Sequence, residues 1–328
     1  MDGEDDSEDV SAPHAHLFRM PQTGVPAAQK WAQRCDLAAE HAAAGAFDSA
    51  MRLLNRQLGI VDFAPLRSSF VDLASASHAC LPTYGGSGRV SVPLGSDGSS
   101  DSPAGTYTLA HLEERLRRGQ KLFTEGKFPE ALEMFTSILY SVPFLIVDSH
   151  QEEDQAKELM SRAAEYMGAL RVELQRKEET EPMRQVELAA YFTHFKLQPI
   201  HQSLTLRQAM STMYKIKNFN TAATLCHRLL ELSPPAKLAQ QARQVLAACE
   251  KNPTDAVELK YDPRNPFVVC AKTMTPIYRG NESIECPVCK SKYTPDAMHE
   301  MCYVCKIGKI GTTCSGLTVA RRQKRSAY

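Results

Sequence analysis

Residues 119–143 read GQKLFTEGKFPEALEMFTSILYSVP, and this stretch decides the fold. It predicts two amphipathic helices joined by a tight turn. Leu112, Leu116, Gly119, Leu122 and Phe123 recur at helical spacing on the first arm. Ala131, Leu132, Phe135, Ile138 and Leu139 do so on the second. Gly126 stands where the first helix must stop, because glycine enters a left-handed turn without a steric penalty. Pro129 suits the first turn of the next helix, and Pro143 ends it. Small residues (Gly119, Ala131) stand where the helices must approach, and Phe128 and Phe135 fill the space around the turn. The spacing G-x2-L-F-x2-G-K-F-x2-A-x3-F resembles a tetratricopeptide-type repeat. An ordinary helical hairpin in a globular core would carry the same pattern.

The pattern recurs on both sides. Upstream, Gly45-Ala-Phe47-Asp-Ser-Ala50-Met51 repeats the offsets of Gly, aromatic and Ala. Its first arm is expected to run through Trp31, Cys35, Leu37, Ala38 and Ala42, and its second through Phe47, Ala50, Met51, Leu54 and Leu58 to Gly59. Downstream, Leu204 to Pro234 gives a third hairpin, with Met210 and Met213 on one arm and Phe219, Ala222, Cys226 and Leu229 on the other. Phe47, Phe128 and Phe219 are too widely spaced for adjacent repeats. The chain is therefore read as mainly α, an irregular α-solenoid of tetratricopeptide-like helical hairpins with inserted helices. Those insertions are a short helix over 64–77, a long one within 148–180 of roughly 40 Å, another from Pro182 with Leu188, Tyr191, Phe192 and Phe195 inward, and a last one over 236–250.

Three stretches break the helical pattern. Residues 1–26 are an acidic, disordered linker, opening MDGEDDSEDV with no apolar face. Within the solenoid of residues 27–252, the segment near 79–105 is an inserted β-hairpin-like loop. LPTYGGSGRVSVPLG offers a turn at GGSG, and SDGSSDSPAG after it is a flexible loop. Residues 253–328 form a small β-rich module, with recurrent prolines, short β-like runs at Phe267–Cys270, Ser283–Glu285 and Leu317–Ala320, and a basic tail of Arg321, Arg322, Lys324 and Arg325.

That module carries the strongest chemical motif. Cys286-Pro-Val-Cys289 and Cys302-Tyr-Val-Cys305 are two CxxC knuckles separated by twelve residues, the spacing of a zinc ribbon. Each knuckle turns two thiolates toward one ion, and four sulfurs complete a closed tetrahedron. A closed site is structural, since it leaves no position for water or substrate. A module this small also gains from such a staple. Zinc is the expected cofactor, with Cys270, Cys314 and His299 as alternative donors. Four half-buried free thiols are the competing reading.

Composition narrows the function. The chain has 328 residues, 43% of them hydrophobic, a formal net charge of zero and ten cysteines. Neutral charge argues against a nucleic-acid footprint. No apolar run approaches the roughly 20 residues of a membrane helix. The acidic start does not resemble a signal peptide, so a reducing compartment is expected, where cysteine pairs more often bind metal than form disulfides. Tyr84-Gly-Gly-Ser-Gly88 lacks the Lys-Ser/Thr of a phosphate loop and reads as a turn. His194 and His201 read as packed or solvated rather than catalytic, Cys226 as packed, and Asn265-Pro266-Phe267, which matches a short endocytic-adaptor motif, as the opening of a strand. No Ser-His-Asp order, nucleotide fingerprint or carboxylate pair rises above chance, so no enzyme and no small-molecule substrate is expected.

Longer stretches point to a family. DPRNPFVVCAKTMTPIYRG (262–280), ELAAYFTHFKLQP (187–199) and LAAEHAAAGAFDSAMRLLNRQLGIVDFAPL (37–66) resemble the C-terminal region of the coatomer alpha subunit family, the large COPI coat protein. The resemblance runs from about Pro26 to Leu317. It implies a structural subunit of a vesicle coat serving Golgi-to-ER and intra-Golgi transport. The expected location is the cytoplasm and the cytoplasmic face of Golgi and COPI-coated vesicle membranes, with peripheral membrane association as part of the coat. Full-length members carry N-terminal β-propellers that read dilysine sorting signals. This chain lacks such repeats and is expected to represent the tail portion, meeting other coatomer subunits through the missing part. The family further implies binding to the epsilon subunit, a tetratricopeptide-repeat protein that closes around a protruding segment of alpha. Ala79 to Leu94 is the candidate segment, with Leu81, Tyr84, Val90 and Val92 as anchors. On this reading the 119–143 hairpin is a packing unit, and Phe128, Ala131 and Phe135 matter for stability first. The alternative is a zinc-containing helical-repeat adaptor of an E3-like or nucleic-acid-binding complex. A RING, however, needs eight ligands in interleaved pairs, and only the four knuckle cysteines pair in the sequence.

Overall fold

The structure, a computed structural model, describes residues 25–33, 36–81, 90–95, 103–104 and 107–320. The acidic segment, Cys35, the GGSG turn with Tyr84, most of the loop after it and the basic tail lie outside the described residues. Among the described residues there are eleven α-helices and three two-stranded antiparallel sheets. No described helix is long and apolar enough to cross a membrane.

The three hairpins form as the offsets predict. They are α2 (Ala38–Ala43) with α3 (Phe47–Leu58), α5 (Leu109–Thr124) with α6 (Phe128–Ser141), and α9 (Pro199–Lys215) with α10 (Phe219–Glu231). Phe47, Phe128 and Phe219 each open the second helix of a hairpin. Three residues on, Ala50, Ala131 and Ala222 are fully buried. Seven residues on, so are Leu54, Phe135 and Cys226. The residue two before each phenylalanine is left-handed: Gly45 at φ 78, Gly126 at φ 76 and Lys217 at φ 64. The third hairpin thus reaches the same turn without glycine, which is why its signature is the weakest of the three.

Helix α7 (His150–Glu178) is the spine, 29 residues long. Ser149 and Glu152 start it with a reciprocal capping box. From α5 each helix packs on its neighbour in sequence, through α7, α8 (Pro182–Phe192), α9 and α10 to α11 (Ala236–Glu250). At the centre Phe135 stacks on Tyr166 with ring centroids 4.7 Å apart, and Phe123 meets Tyr166 edge-on at 5.5 Å. Phe128 closes the turn, 5.5 Å from Phe123 and with Lys177 Nζ 4.3 Å above its ring. Phe192 is buried, whereas Phe195, beyond the end of α8, is only half-buried.

The first arm differs from its expected form. Instead of one helix, α1 (Ala27–Gln33) and α2 are separate, and Leu37 before α2 is extended at φ −109. Trp31 and Leu37 are both buried. In one continuous helix, positions six apart would lie about 120° apart around the axis. The break lets both face the core. Beyond α3, a 3₁₀ turn at Ala64–Leu66 leads into α4 (Arg67–Ala76), and Phe70 meets Phe144 at 4.9 Å to join this end to the central hairpin.

Strands β1 (His78–Leu81) and β2 (Val90–Pro93) form the inserted hairpin. After α11 come β3 (Phe267–Val269) with β4 (Pro276–Tyr278), and β5 (Ile284–Glu285) with β6 (Lys292–Tyr293). Asn265-Pro266-Phe267 does open a strand. The run Leu317–Ala320 does not form one. It pairs only at Val147, whose N–H donates to the Val319 carbonyl at 3.0 Å, because a connecting loop rather than a strand lies beside it. Element type changes after α11, but a single buried cluster runs from Ala27 to Ala320. The β-rich part is bonded to the helices: Lys309 N–H to Gly59 C=O at 3.0 Å, Tyr191 Oη to Lys260 C=O at 2.6 Å, and Arg184 to the carbonyls of Thr273 and Met274.

Candidate metal centre

Two turns of the same design carry the four knuckle cysteines. In Cys286-Pro-Val-Cys289-Lys290, the Lys290 N–H donates to Cys286 C=O at 2.9 Å and Lys290 is left-handed at φ 58. In Cys302-Tyr-Val-Cys305-Lys306, the Lys306 N–H donates to Cys302 C=O at 3.0 Å and Lys306 has φ 57. Each turn lifts its two cysteines toward the other turn. Val288 and Val304, the third residue of each, are buried beneath.

The result is one cluster. The sulfurs of Cys286, Cys289, Cys302 and Cys305 all lie within 4.8 Å of one another, all four residues are buried, and together they could hold a metal ion. Cys286 Sγ is 3.6 Å from Cys305 Sγ, and Cys289 Sγ is 3.4 Å from Cys302 Sγ. The alternative donors Cys270, Cys314 and His299 are outside this group. Outer contacts orient the sulfurs: Tyr293 Oη is 3.1 Å from Cys302 Sγ, Ser291 Oγ is 3.1 Å from Cys289 Sγ, and the Cys305 N–H donates to Cys302 Sγ at 3.4 Å. Gly308 is needed beside them, since a β-carbon there would stand 2.7 Å from Val288 Cγ2 and 3.0 Å from Cys286 Sγ.

Electrostatics favours a cation at this point. Burial pushes the Cys289 thiol up, and hydrogen bonds with the other three sulfurs add to that. Hydrogen bonds from Cys286, Cys289 and Cys305 instead hold the Cys302 sulfur down. A divalent cation among them is what would let buried sulfurs ionise together.

The centre is anchored on the hairpin that set the fold. Tyr140, on α6, donates its hydroxyl to the Cys305 carbonyl at 2.9 Å. Sequence reasoning found the four cysteines but not Tyr140, Tyr293 or Gly308. Only the repeated C-x-V-C-K was legible, and it marks Lys290 and Lys306.

Other singled-out residues have structural surroundings. His201 is held at both ring nitrogens, Nδ1 2.7 Å from Tyr166 Oη and Nε2 2.8 Å from Thr124 Oγ1. His194 Nε2 accepts from Arg228 at 3.2 Å and lies 3.1 Å from Tyr261 Oη. Burial, then the Arg228 charge, push its pKa down to about 3. Burial pushes the Cys226 thiol up to about 12. Of the candidate partner anchors, Leu81 lies opposite Val90 and Val92 opposite Ala79 in the β1–β2 ladder. By strand alternation Ala79 and Val92 share one side of the ribbon. Val92 is half-buried, while Cys80 and Ser91 on the other side are more open. Tyr84 lies outside the described residues.

Comparison with known proteins agrees with the resemblance read from the sequence. Residues 2–325 match the family described as the C-terminus of the coatomer (COPI) alpha subunit. Coatomer subunit alpha-1 of Arabidopsis thaliana is 46% identical over 319 residues, covering 94% of this chain and 26% of that protein. Coatomer subunit alpha of Dictyostelium discoideum is 42% identical over 321 residues, covering 95% and 26%. Coatomer subunit alpha of Saccharomyces cerevisiae is 32% identical over 298 residues, covering 88% and 25%. The chain spans about a quarter of the length of these relatives.

Proposed function

Since the chain belongs to the family formed by the C-terminus of the coatomer (COPI) alpha subunit, we propose that it is a structural, non-catalytic segment of the COPI vesicle coat. In that role it is a rigid strut that meets the epsilon subunit and acts in Golgi-to-ER and intra-Golgi transport, peripherally on the cytoplasmic face of the membrane. The match across residues 2–325 is the observation that carries this reading. The continuous buried core supports it, because a strut must transmit load without hinging. On this reading residues 27–252 are the solenoid and 253–328 a small module fastened to its side.

Zinc is the ion assigned to Cys286, Cys289, Cys302 and Cys305. A tetrahedron of sulfurs about 2.3 Å from zinc has edges of about 3.8 Å, and the separations of 3.4 Å and 3.6 Å are close to that. With four protein ligands no position remains for substrate, so the ion's part is to fix the two knuckles and, through Tyr140, the module's seat on α6. The epsilon contact is assigned to the Ala79–Leu94 hairpin. Its base is pinned by the Ser77 hydroxyl, which donates to the carbonyls of Leu73 at 2.7 Å and Ala104 at 2.9 Å. The strands beyond can therefore be altered with the core left alone.

The test is capture from cell extract with the purified chain and with a variant lacking 79–94. Retention of the epsilon subunit by the intact chain and its loss from a variant with unchanged melting is the expected result. Epsilon retained by both would overturn the hairpin assignment. A ubiquitin-conjugating enzyme captured in place of coat subunits would overturn the coat reading.

A further inference from the structure

The β-rich region holds a third knuckle that its sequence conceals. β3 runs into Cys270-Ala-Lys-Thr273 and returns as β4, just as β5 runs into Cys286-Pro-Val-Cys289 and returns as β6. The same two backbone bonds close both turns. Cys270 N–H donates to Thr275 C=O at 2.8 Å and Met274 N–H to Cys270 C=O at 2.8 Å. Cys286 N–H donates to Ser291 C=O at 3.0 Å and Lys290 N–H to Cys286 C=O at 2.9 Å. Met274 is left-handed at φ 54, as Lys290 is at φ 58. Thr273 therefore stands where the other hairpin has Cys289. A left-handed methionine is sterically disfavoured relative to glycine, so the turn is not one that a generic hairpin adopts freely.

The docking of this hairpin supplies an independent observation. Cys270 bridges Lys292 in parallel, with Ala271 N–H donating to Lys292 C=O at 2.9 Å. That register sets Cys270 Sγ 3.8 Å from Thr294 Oγ1. Thr294 opens the tight turn Thr294-Pro-Asp-Ala297, closed by Ala297 N–H to Thr294 C=O at 3.1 Å, and Ala297 is fully buried. Four pairs thus follow one another at x-x spacing: 270/273, 286/289, 294/297 and 302/305. The second and fourth pairs converge on the four-sulfur cluster. The first and third meet each other at Cys270 and Thr294. Around the Cys270 sulfur stand hydrogen-bond donors: the Thr273 hydroxyl and the backbone N–H groups of Thr273, Thr294 and Lys272. Donors of this kind do for one buried sulfur what a cation does for several.

The geometry points to a second metal position interleaved with the first, framed by the turn positions Cys270, Thr273, Thr294 and Ala297, in which hydrogen bonds to the Cys270 sulfur take the place of an ion. The chain is thereby a one-metal version of a two-metal frame. The Cys270–Thr273 turn stays in place without the second ion because β3–β4 is seated on β6 and held by Arg184 through the Thr273 and Met274 carbonyls.

The experiment restores the ligands in the full chain: Thr273→Cys, Thr294→Cys and Ala297→Cys together, expressed with added zinc and measured by elemental analysis beside wild type. A gain of one zinc per chain over wild type is expected, whatever the content of the Cys286 cluster, so the result is independent of the zinc assignment made above. A folded triple variant with no gain overturns the inference. If the triple variant does not fold, the double variant Thr273→Cys/Thr294→Cys decides. With Cys270 it offers three thiolates, and cobalt titration should show one more equivalent with thiolate-to-cobalt absorption than wild type. The same cobalt stoichiometry as wild type overturns it.

Discussion

A β-carbon on Gly119 would stand 2.8 Å from Cε1 of Phe135. The two residues sit on α5 and α6, the arms of the central hairpin, and the missing side chain of one is the space the other fills. Phe135 in turn stacks on Tyr166 of the long helix α7, so this contact sets how closely the hairpin can lie on the spine.

Gly119→Ala should therefore force Phe135 off its rotamer and lower stability by about 1–3 kcal/mol. Urea unfolding checks this. Pairing it with Phe135→Leu should recover part of the loss, since the double variant removes the clashing ring edge, whereas additive losses would mean that the two residues do not constrain each other.

Lys217 offers the opposite experiment. It occupies the left-handed turn position that Gly45 and Gly126 fill in the other hairpins. Lys217→Gly should raise the unfolding midpoint, relieving about 1 kcal/mol of backbone strain less the extra freedom glycine gives the unfolded chain. Gly126→Lys should lower it by a similar amount. A neutral result for both would show that the turn is set by packing of the following phenylalanine alone.

These two sites also show what the sequence could and could not disclose. The hairpins were legible because burial repeats every three to four residues and because Phe, Ala and the next large residue keep their offsets. The break between α1 and α2 was not, since Trp31 and Leu37 both look apolar and only the core decides that they must face the same way. The four-cysteine cluster was legible from ligand spacing. Its seat was not: Tyr140 is distant in the chain, and the third knuckle is hidden because Thr273 carries no ligand chemistry. Strands β4 and β6 were missed, though their partners β3 and β5, equally short, fall in runs read as β-like.

Acid should destabilise the fold through His194. Its folded pKa is near 3, whereas a free histidine titrates at 6.5. Between these values the unfolded chain binds the extra proton, so stability is present above about pH 6.5 and is lost as pH falls toward 3. At pH 5 the loss is about 2 kcal/mol, from 1.4 kcal/mol per pKa unit. His194→Gln keeps an acceptor for Arg228 and should flatten melting temperature against pH over this range. An unchanged slope would assign the acid sensitivity elsewhere, with His201, whose pKa burial also lowers, as the next residue to test.

Tyr140→Phe removes the one hydroxyl that α6 gives to the Cys305 carbonyl. The carbonyl loses its partner in a half-buried setting, at a cost of about 1–2 kcal/mol. Metal release to a chelator should also quicken, because the knuckle loses its hold on the helix. Faster release with unchanged affinity at equilibrium in the folded state would fit a positioning role. No change in either stability or release would contradict it.

The four sulfurs of Cys286, Cys289, Cys302 and Cys305 are proposed to act as one structural metal site. Elemental analysis of the purified chain, with Cys286→Ser beside it, tests this directly. One tightly held zinc per wild-type chain, lost in Cys286→Ser together with a lowered melting temperature, is the predicted result. Metal-free wild-type protein whose melting matches that of Cys286→Ser would contradict it.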